Sequence, residues 1–126
     1  NFPKQHNEAL IAKNQNTYGQ FAETVRMFKN MKDDLIDRNI ISDEIVKSYF
    51  IENLLYNVPN KYFNGTYTEK YKSIVRYLAL EYDTNQLKYF NCGNGVDKLC
   101  SEKVWKRENI YQYLKVLVKI RDEAQF

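Results

Sequence analysis

Residues 48–59 read Ser-Tyr-Phe-Ile-Glu-Asn-Leu-Leu-Tyr-Asn-Val-Pro, and the predicted fold is built around this segment. Apolar and aromatic side chains occupy nearly every face of a helix drawn through it, so the helix should lie in the middle of a bundle. Ser42 offers an N-cap followed by two acidic residues, and Pro59 cannot continue a helix. The sequence therefore predicts a central helix over about residues 43–57, whose few polar side chains need partners.

Three more helices are predicted around this central one. Apolar residues recur every three or four positions from Phe21 to a helix end near Asn39, then over residues 68–82 and residues 106–123. Residues 84–104 read as a long connection, and no stretch alternates in the manner of a strand. The fold class is therefore all-α, a helical bundle of about four main helices.

The chain is short enough for a single domain, with 126 residues. Residues 1–16 are mostly polar and read as a lead-in segment with one short helix, whereas residues 17–126 form the helical domain. The chain opens at Asn1 without an initiator Met, which indicates a processed product or a piece of a longer protein.

Charge and hydropathy narrow the choice of partners. The 19 basic and 16 acidic side chains are interspersed, so no basic arm predicts nucleic-acid binding, and that function is held as a minor alternative. No apolar run approaches the roughly 18 residues of a membrane span, and no secretory signal opens the chain. We therefore expect a soluble, cytoplasmic protein without a membrane partner.

Catalytic patterns are missing from the sequence. Cys92 and Cys100 are too few for a disulfide framework and read as reduced thiols, and His6 is too distant to complete a zinc site with them. Adjacent acids such as Asp33-Asp34 point about 100° apart on a helix, so they are best explained as solvated helix faces. No phosphate loop and no nucleophile with a neighbouring histidine occurs.

Binding is better supported. Arg26 and Lys29 lie three residues apart on one helix, a common arrangement for phosphate oxygens, although Lys29 could instead form a surface ion pair with Asp33. On the next helix, Ser48 could donate to a phosphate and Tyr49 could stack on a base or simply fill the core. Glu52 either pairs with Lys29 or Arg26, or faces a wet cleft.

These residues carry a resemblance to a known family. Residues 25–30 (Val-Arg-Met-Phe-Lys-Asn), 48–52 (Ser-Tyr-Phe-Ile-Glu) and 54–59 (Leu-Leu-Tyr-Asn-Val-Pro) resemble the C-terminal helical domain of bacterial nucleotidyltransferases of the cyclic GMP-AMP synthase and oligoadenylate synthetase type. The similarity includes Asn-Thr-Tyr-Gly at residues 16–19 and covers most of the chain. In that family the helical lobe closes over an α/β catalytic lobe, with the nucleotide between them.

The resemblance implies a role for each matching residue. It assigns Lys29 to the triphosphate of a nucleoside triphosphate such as ATP or GTP, Ser48 to a phosphate contact and Tyr49 to stacking on the base. Arg26 and Glu52 are implied as neighbours that orient the cluster. The family's Gly-Ser turn and Asp-x-Asp motif are absent, so Mg²⁺ is expected in an N-terminal catalytic lobe that this chain lacks, with no cofactor in this fragment.

The leading hypothesis is that the parent protein transfers nucleotidyl groups and makes cyclic or linear oligonucleotide signals, as such enzymes often do in antiviral defence. This chain would bind the triphosphate and base without being active alone. The alternative is a stand-alone helical module that binds another protein through a Tyr-rich surface.

Overall fold

The computed structural model describes residues 4–123, and five α-helices form the framework of this part of the chain. They are α1 (Lys4–Asn16), α2 (Gln20–Asp37), α3 (Ser48–Tyr56), α4 (Tyr67–Asp83) and α5 (Arg107–Glu123). Short 3₁₀ helices follow α3 (Asn60–Phe63) and α4 (Leu87–Tyr89). Two isolated β-bridges are the only extended pairings in this range, so the all-α prediction is confirmed.

The central position predicted for α3 is also confirmed. Ile51, Leu54 and Leu55 are at most 1% exposed, and α2 packs along α3 while α4 packs on α5. Burying three such side chains contributes several kcal/mol, at roughly 1.5–3 kcal/mol each. The position of α3 is therefore fixed by its core contacts.

The predicted start of this helix at about residue 43 is wrong. The Ser42 hydroxyl does accept a hydrogen bond from the Glu44 N–H, at 3.2 Å, but the bond closes a local turn. The chain then becomes extended at Lys47 (φ −105°, ψ 155°), and α3 begins at Ser48. Serine hydroxyls cap turns as well as helices, and the local sequence does not distinguish the two.

The other helix boundaries agree closely with the sequence. At the end of α2, Asn39 adopts a left-handed conformation (φ 59°) and the Ile40 N–H donates to the Leu35 carbonyl at 2.9 Å. This 6→1 bond is a common helix ending in which Asn replaces the usual Gly. Helices α4 and α5 lie within a residue of the predicted ranges.

Residues 84–106 connect α4 to α5 as predicted, but the connection is packed into the core. Its buried members are Leu87, Phe90, Cys92, Leu99 and Trp105. The Trp105 ring stacks on Phe50 of α3 at 4.9 Å, and its indole N–H donates to the Ile45 carbonyl at 2.7 Å. The connection therefore encloses the side of α3 that faces away from α2.

A helix of thirteen residues, α1, occupies the segment read as a lead-in; residues 1–3 lie outside the described residues. Its Lys13 ammonium donates to the Val58 carbonyl and to Asn60 Oδ1, both at 2.7 Å. The same ammonium lies 5.2 Å from the centre of the Phe63 ring. Lys13 thus links the end of α1 to the turn that follows α3 by hydrogen bonds.

The N-terminus of α4 offers a test of local stability. Thr66 accepts a hydrogen bond from the Glu69 N–H at 3.1 Å, and the Glu69 carboxylate accepts one from the Thr66 N–H at 3.0 Å. We expect Thr66→Ala to lower the free energy of unfolding by about 1 kcal/mol, because one helix N–H loses its acceptor. Thr68→Ala, two residues further along the same first turn and outside the cap, is the matched control for urea unfolding. Equal losses in both variants would contradict the capping assignment.

The pKa of Lys13 offers a second test. Burial lowers this pKa from 10.5 to about 8, so between these values the unfolded chain binds the proton more tightly than the folded chain does. Protonation then opposes folding, and the stability contributed by Lys13 rises as the pH increases through this window. We expect the difference in free energy of unfolding between wild type and Lys13→Met to shift in favour of wild type from pH 8 to 10.5.

Urea unfolding at several pH values measures this difference. Lys115→Met, which removes an exposed lysine of α5, serves as the control and should show no such trend. A difference for Lys13→Met that does not change with pH would show that its proton affinity is the same in the folded and unfolded chains.

Candidate functional site

Three cationic residues follow one another at intervals of three along α2: Arg26, Lys29 and Lys32. Each step of three residues turns the side chain about 60° around the helix, so the row winds from solvent towards α3. Arg26 is exposed, the Lys29 side chain is 30% exposed, and Lys32 is only 9% exposed. The row therefore brings positive charge progressively into the interface between the two helices.

Two polar contacts connect this row to α3. The Lys29 ammonium lies 2.5 Å from Glu52 Oε1, and the Lys32 ammonium lies 2.9 Å from the Ser48 hydroxyl. Ser48 and Glu52 are one turn apart, so they share the face of α3 that meets α2. We call this pair of contacts the α2–α3 ladder.

The ladder resolves the alternatives that the sequence left open. Glu52 pairs with Lys29, and its side chain is only 15% exposed. The surface pair between Lys29 and Asp33 is not formed, because Asp33 lies 3.0 Å from the Lys32 ammonium instead. The contacts of Lys32 with Ser48 and Asp33 were not predicted from the sequence. Its spacing of three from Lys29 was the available signal, but the spacing alone is also typical of a solvated charge.

A groove of about 480 Å³ opens beside the ladder. Arg26, Lys29 and Glu52 form its polar end, and its other walls come from α1 and the first turns of α2. These wall residues are Leu10, Ile11, Asn14, Phe21, Ala22 and Val25. The structure thus brings three of the five sequence-predicted residues to one groove, with Ser48 joined to it through the ladder.

Tyr49 lies on a different face of α3. Its ring packs edge-on against Phe50 at 6.3 Å and is partly buried. Burial, followed by the nearby Cys92 side chain, raises the pKa of the Tyr49 phenol. The ring is therefore only partly in the core. It does not line the groove with Arg26, and it lies next to the loop that contains Cys92.

That loop is held on α3 by two asparagines. Asn53 is fully buried, donates to the Tyr49 carbonyl at 2.9 Å and accepts from the Gly93 N–H at 2.6 Å. One turn later, Asn57 bonds both the N–H and the carbonyl of Asn91, at 2.9 and 2.8 Å. We call Asn53 and Asn57 the asparagine clip. Neither residue was assigned a role from the sequence.

The first two residues of α3 are Ser48, which belongs to the ladder, and Tyr49. The helix begins at Ser48, and the side chain of its N-cap residue, Lys47, forms no capping hydrogen bond. The positive end of the helix dipole therefore coincides with two residues, Ser48 and Tyr49, that were singled out from the sequence. The adjacent Lys32 ammonium adds to the positive potential there.

The cationic residues of α2 and the N-terminus of α3 can bind and orient an anion. Burial raises the pKa of both Cys92 and Cys100, so neither is an activated thiolate, and they form no disulfide with each other. Between residues 4 and 123, no three His, Cys, Asp or Glu side chains lie close enough to hold a metal ion. None of the helices in this range has the length and apolar character needed to cross a bilayer.

Similar proteins share this fold and sequence. The cyclic UMP-AMP synthase of Rhodothermus marinus is 38% identical over 119 residues, and the cyclic nucleotide synthase CdnE01 of Staphylococcus haemolyticus is 33% identical over 126 residues. These alignments cover 93% and 98% of this chain but only 40% and 41% of the relatives. The chain thus spans about two fifths of the length of the curated relatives it matches.

Solved structures agree with the sequence comparison. The structure of the Rhodothermus marinus CdnE c-UMP-AMP synthase with Apcpp and Upnpp matches all of this chain and 42% of that chain, with a TM-score of 0.86 and 36% identity. The Elizabethkingia meningoseptica CdnE cyclic dinucleotide synthase with GTP and Apcpp matches 91% of this chain and 42% of that chain, with a TM-score of 0.82 and 30% identity.

The expected family is confirmed by the match of residues 8–122 to the family described as the cGAS/DncV-like nucleotidyltransferase C-terminal helical domain. Together with the relatives above, this match shows that the chain belongs to the C-terminal helical domains of cGAS/DncV-like nucleotidyltransferases.

Proposed function

We propose that this domain binds the triphosphate and base of a nucleoside triphosphate in a nucleotidyltransferase that makes cyclic or linear oligonucleotide signals. The observation that carries the proposal is the meeting of Arg26, Lys29 and Glu52 at one groove, joined by the ladder to the N-terminus of α3. Relatives named as cyclic nucleotide synthases, and related structures that contain nucleotides and their analogues, support it.

The charge distribution suits a triphosphate. An ammonium has three N–H donors, so the bond from Lys29 to Glu52 leaves two for phosphate oxygens. The ion pair also holds Lys29 at the groove before the ligand arrives, which reduces the side-chain entropy lost on binding. Arg26 adds a guanidinium, whose planar donors match phosphate oxygens.

Ser48 and Tyr49 extend the proposed site along α3. Ser48 lies at the helix N-terminus, where a phosphate is favoured by the helix dipole. Tyr49 supplies a ring for the base, and the asparagine clip and Cys92 fix the surroundings of that ring. The triphosphate would then lie near the ladder and the base near the Cys92 loop.

In the proposed enzyme, nucleotide binding and nucleotidyl transfer are divided between two lobes. In this proposal an N-terminal α/β lobe is the partner that holds Mg²⁺ and performs the transfer, and residues 1–16 lead in from it. The described residues offer no set of ligands that fits the metal. The contribution of this chain is therefore to bind and orient the nucleotide.

A protein-interaction module has less support. Its Tyr-rich surface would need neighbouring exposed tyrosines, but Tyr18, Tyr67, Tyr89 and Tyr111, which are 45–90% exposed, belong to different segments of the chain. No single helix presents them as a stripe.

The role of Lys29 is tested in the full-length parent protein. We expect Lys29→Ala to weaken the binding of inorganic triphosphate and of nucleoside triphosphates about tenfold or more, because it removes a charge-assisted contact. Isothermal titration calorimetry gives the affinities. Lys119→Ala, on the exposed face of α5, removes the same charge and should leave the affinity unchanged.

Lys29→Ala also leaves Glu52 without the lysine that neutralises it, so a second variant is needed. Lys29→Ala combined with Glu52→Gln removes both charges. If the double variant regains wild-type affinity, the loss came from the Glu52 charge that Lys29 no longer neutralises, and Lys29 does not bind the triphosphate.

The role of Tyr49 is tested by comparing ligands with and without a base. We expect Tyr49→Leu to weaken nucleoside triphosphate binding about tenfold, since stacking on an aromatic ring is worth about 1–3 kcal/mol per base. Binding of inorganic triphosphate should not change. Tyr49→Phe keeps the ring and is the matched control. Equal losses for both ligands in Tyr49→Leu would argue against stacking.

A further inference from the structure

Lys32 is a buried lysine at the edge of the proposed site, and neither the sequence pattern nor the family match assigns it a role. Lys32 is 9% exposed, and its ammonium contacts the Ser48 hydroxyl at 2.9 Å and Asp33 Oδ1 at 3.0 Å. Lys29 lines the groove beside the ladder, whereas Lys32 does not.

This arrangement is costly for a contact that would serve stability alone. Removing an ammonium from water carries a penalty of several kcal/mol that its partners must offset. The Asp33 side chain is 66% exposed, so water screens the attraction between the two charges. The remaining polar partner of Lys32 among the described hydrogen bonds is Ser48.

The direction of the bond to Ser48 has a chemical consequence. A lysine ammonium has donors and no acceptor, so the Ser48 oxygen must accept. The hydroxyl hydrogen of Ser48 then has to point away from Lys32. It is available to donate at the N-terminus of α3, where the helix dipole favours an anion.

We propose that Lys32 is a positioning residue that fixes the Ser48 hydroxyl as a donor to a phosphate oxygen of the bound triphosphate. The inference rests on the proposed function, because it assigns a role within the same site. Lys32 acts through Ser48 and does not contact the ligand itself. The geometry therefore predicts that the two residues act as one unit in triphosphate binding.

A double-mutant cycle in the full-length parent protein tests this coupling, with inorganic triphosphate as the probe. We expect Ser48→Ala and Lys32→Met each to weaken binding about tenfold. The double variant should also bind about tenfold more weakly than wild type, since Lys32 has nothing to orient once Ser48 is gone. Lys32→Arg keeps the donor and the charge, and should restore most of the affinity.

Three results would overturn the inference. A hundredfold loss in the double variant would mean that Lys32 contributes independently, and unchanged affinity in a folded Lys32→Met variant would leave it a structural role only. If Lys32→Met does not fold, Ser48→Ala remains a test. Wild-type affinity in Ser48→Ala would show that the Ser48 hydroxyl does not bind the phosphate, so Lys32 could not act through it.

Lys29→Ala separates this inference from the proposed function. Weaker triphosphate binding in Lys29→Ala together with independent effects of Lys32 and Ser48 would overturn only the inference. Unchanged binding in Lys29→Ala would count against the proposed function itself. Thermal unfolding of each variant confirms that the affinities are measured on folded protein.

Discussion

The burial of α3 governs how the neighbouring elements pack. Its apolar side chains form the centre of the core, yet the same short segment carries Ser48, Glu52, Asn53 and Asn57. Polar groups in such a position need hydrogen-bond partners, because leaving them unsatisfied costs about 1–3 kcal/mol each. The neighbours of α3 are arranged to supply those partners on two sides.

The two sides do different work. On one side, Lys32 donates to Ser48 and Lys29 pairs with Glu52 Oε1, which brings cationic side chains of α2 to the groove and to the N-terminus of α3. On the other side, the asparagine clip uses the main chain of the Cys92 loop and fixes the surroundings of Tyr49. Helix α3 thus has a charged side next to α2 and a side with the Tyr49 ring next to the Cys92 loop. The two sides meet at the N-terminus of α3.

The sequence predicted most of the fold because hydrophobic periodicity is a local signal. The stripe from Phe21 to Leu35 and the runs inside α4 and α5 each span several turns, so their existence and approximate ends could be read directly. The start of α3 failed because the hydroxyl of Ser42 caps a turn as well as it would cap a helix. The connection before α5 has no periodicity, and its packing could not be foreseen.

The site was predictable only in part, because most of its contacts join residues that are far apart in the sequence. The pairing of Lys29 with Glu52 was one of the options left open. The bond between Lys32 and Ser48 joins residues sixteen positions apart, and the clip joins residues 34 and 40 positions apart. Such contacts depend on how helices and loops are placed against each other, which neither spacing nor composition reveals. The use of the main chain in the clip has a further consequence. Because Asn53 and Asn57 hold the loop through its N–H and carbonyl groups, the exposed side chains of that loop can be exchanged while its backbone stays in place. Selection could therefore alter the chemistry beside Tyr49 by successive single substitutions without rebuilding the scaffold.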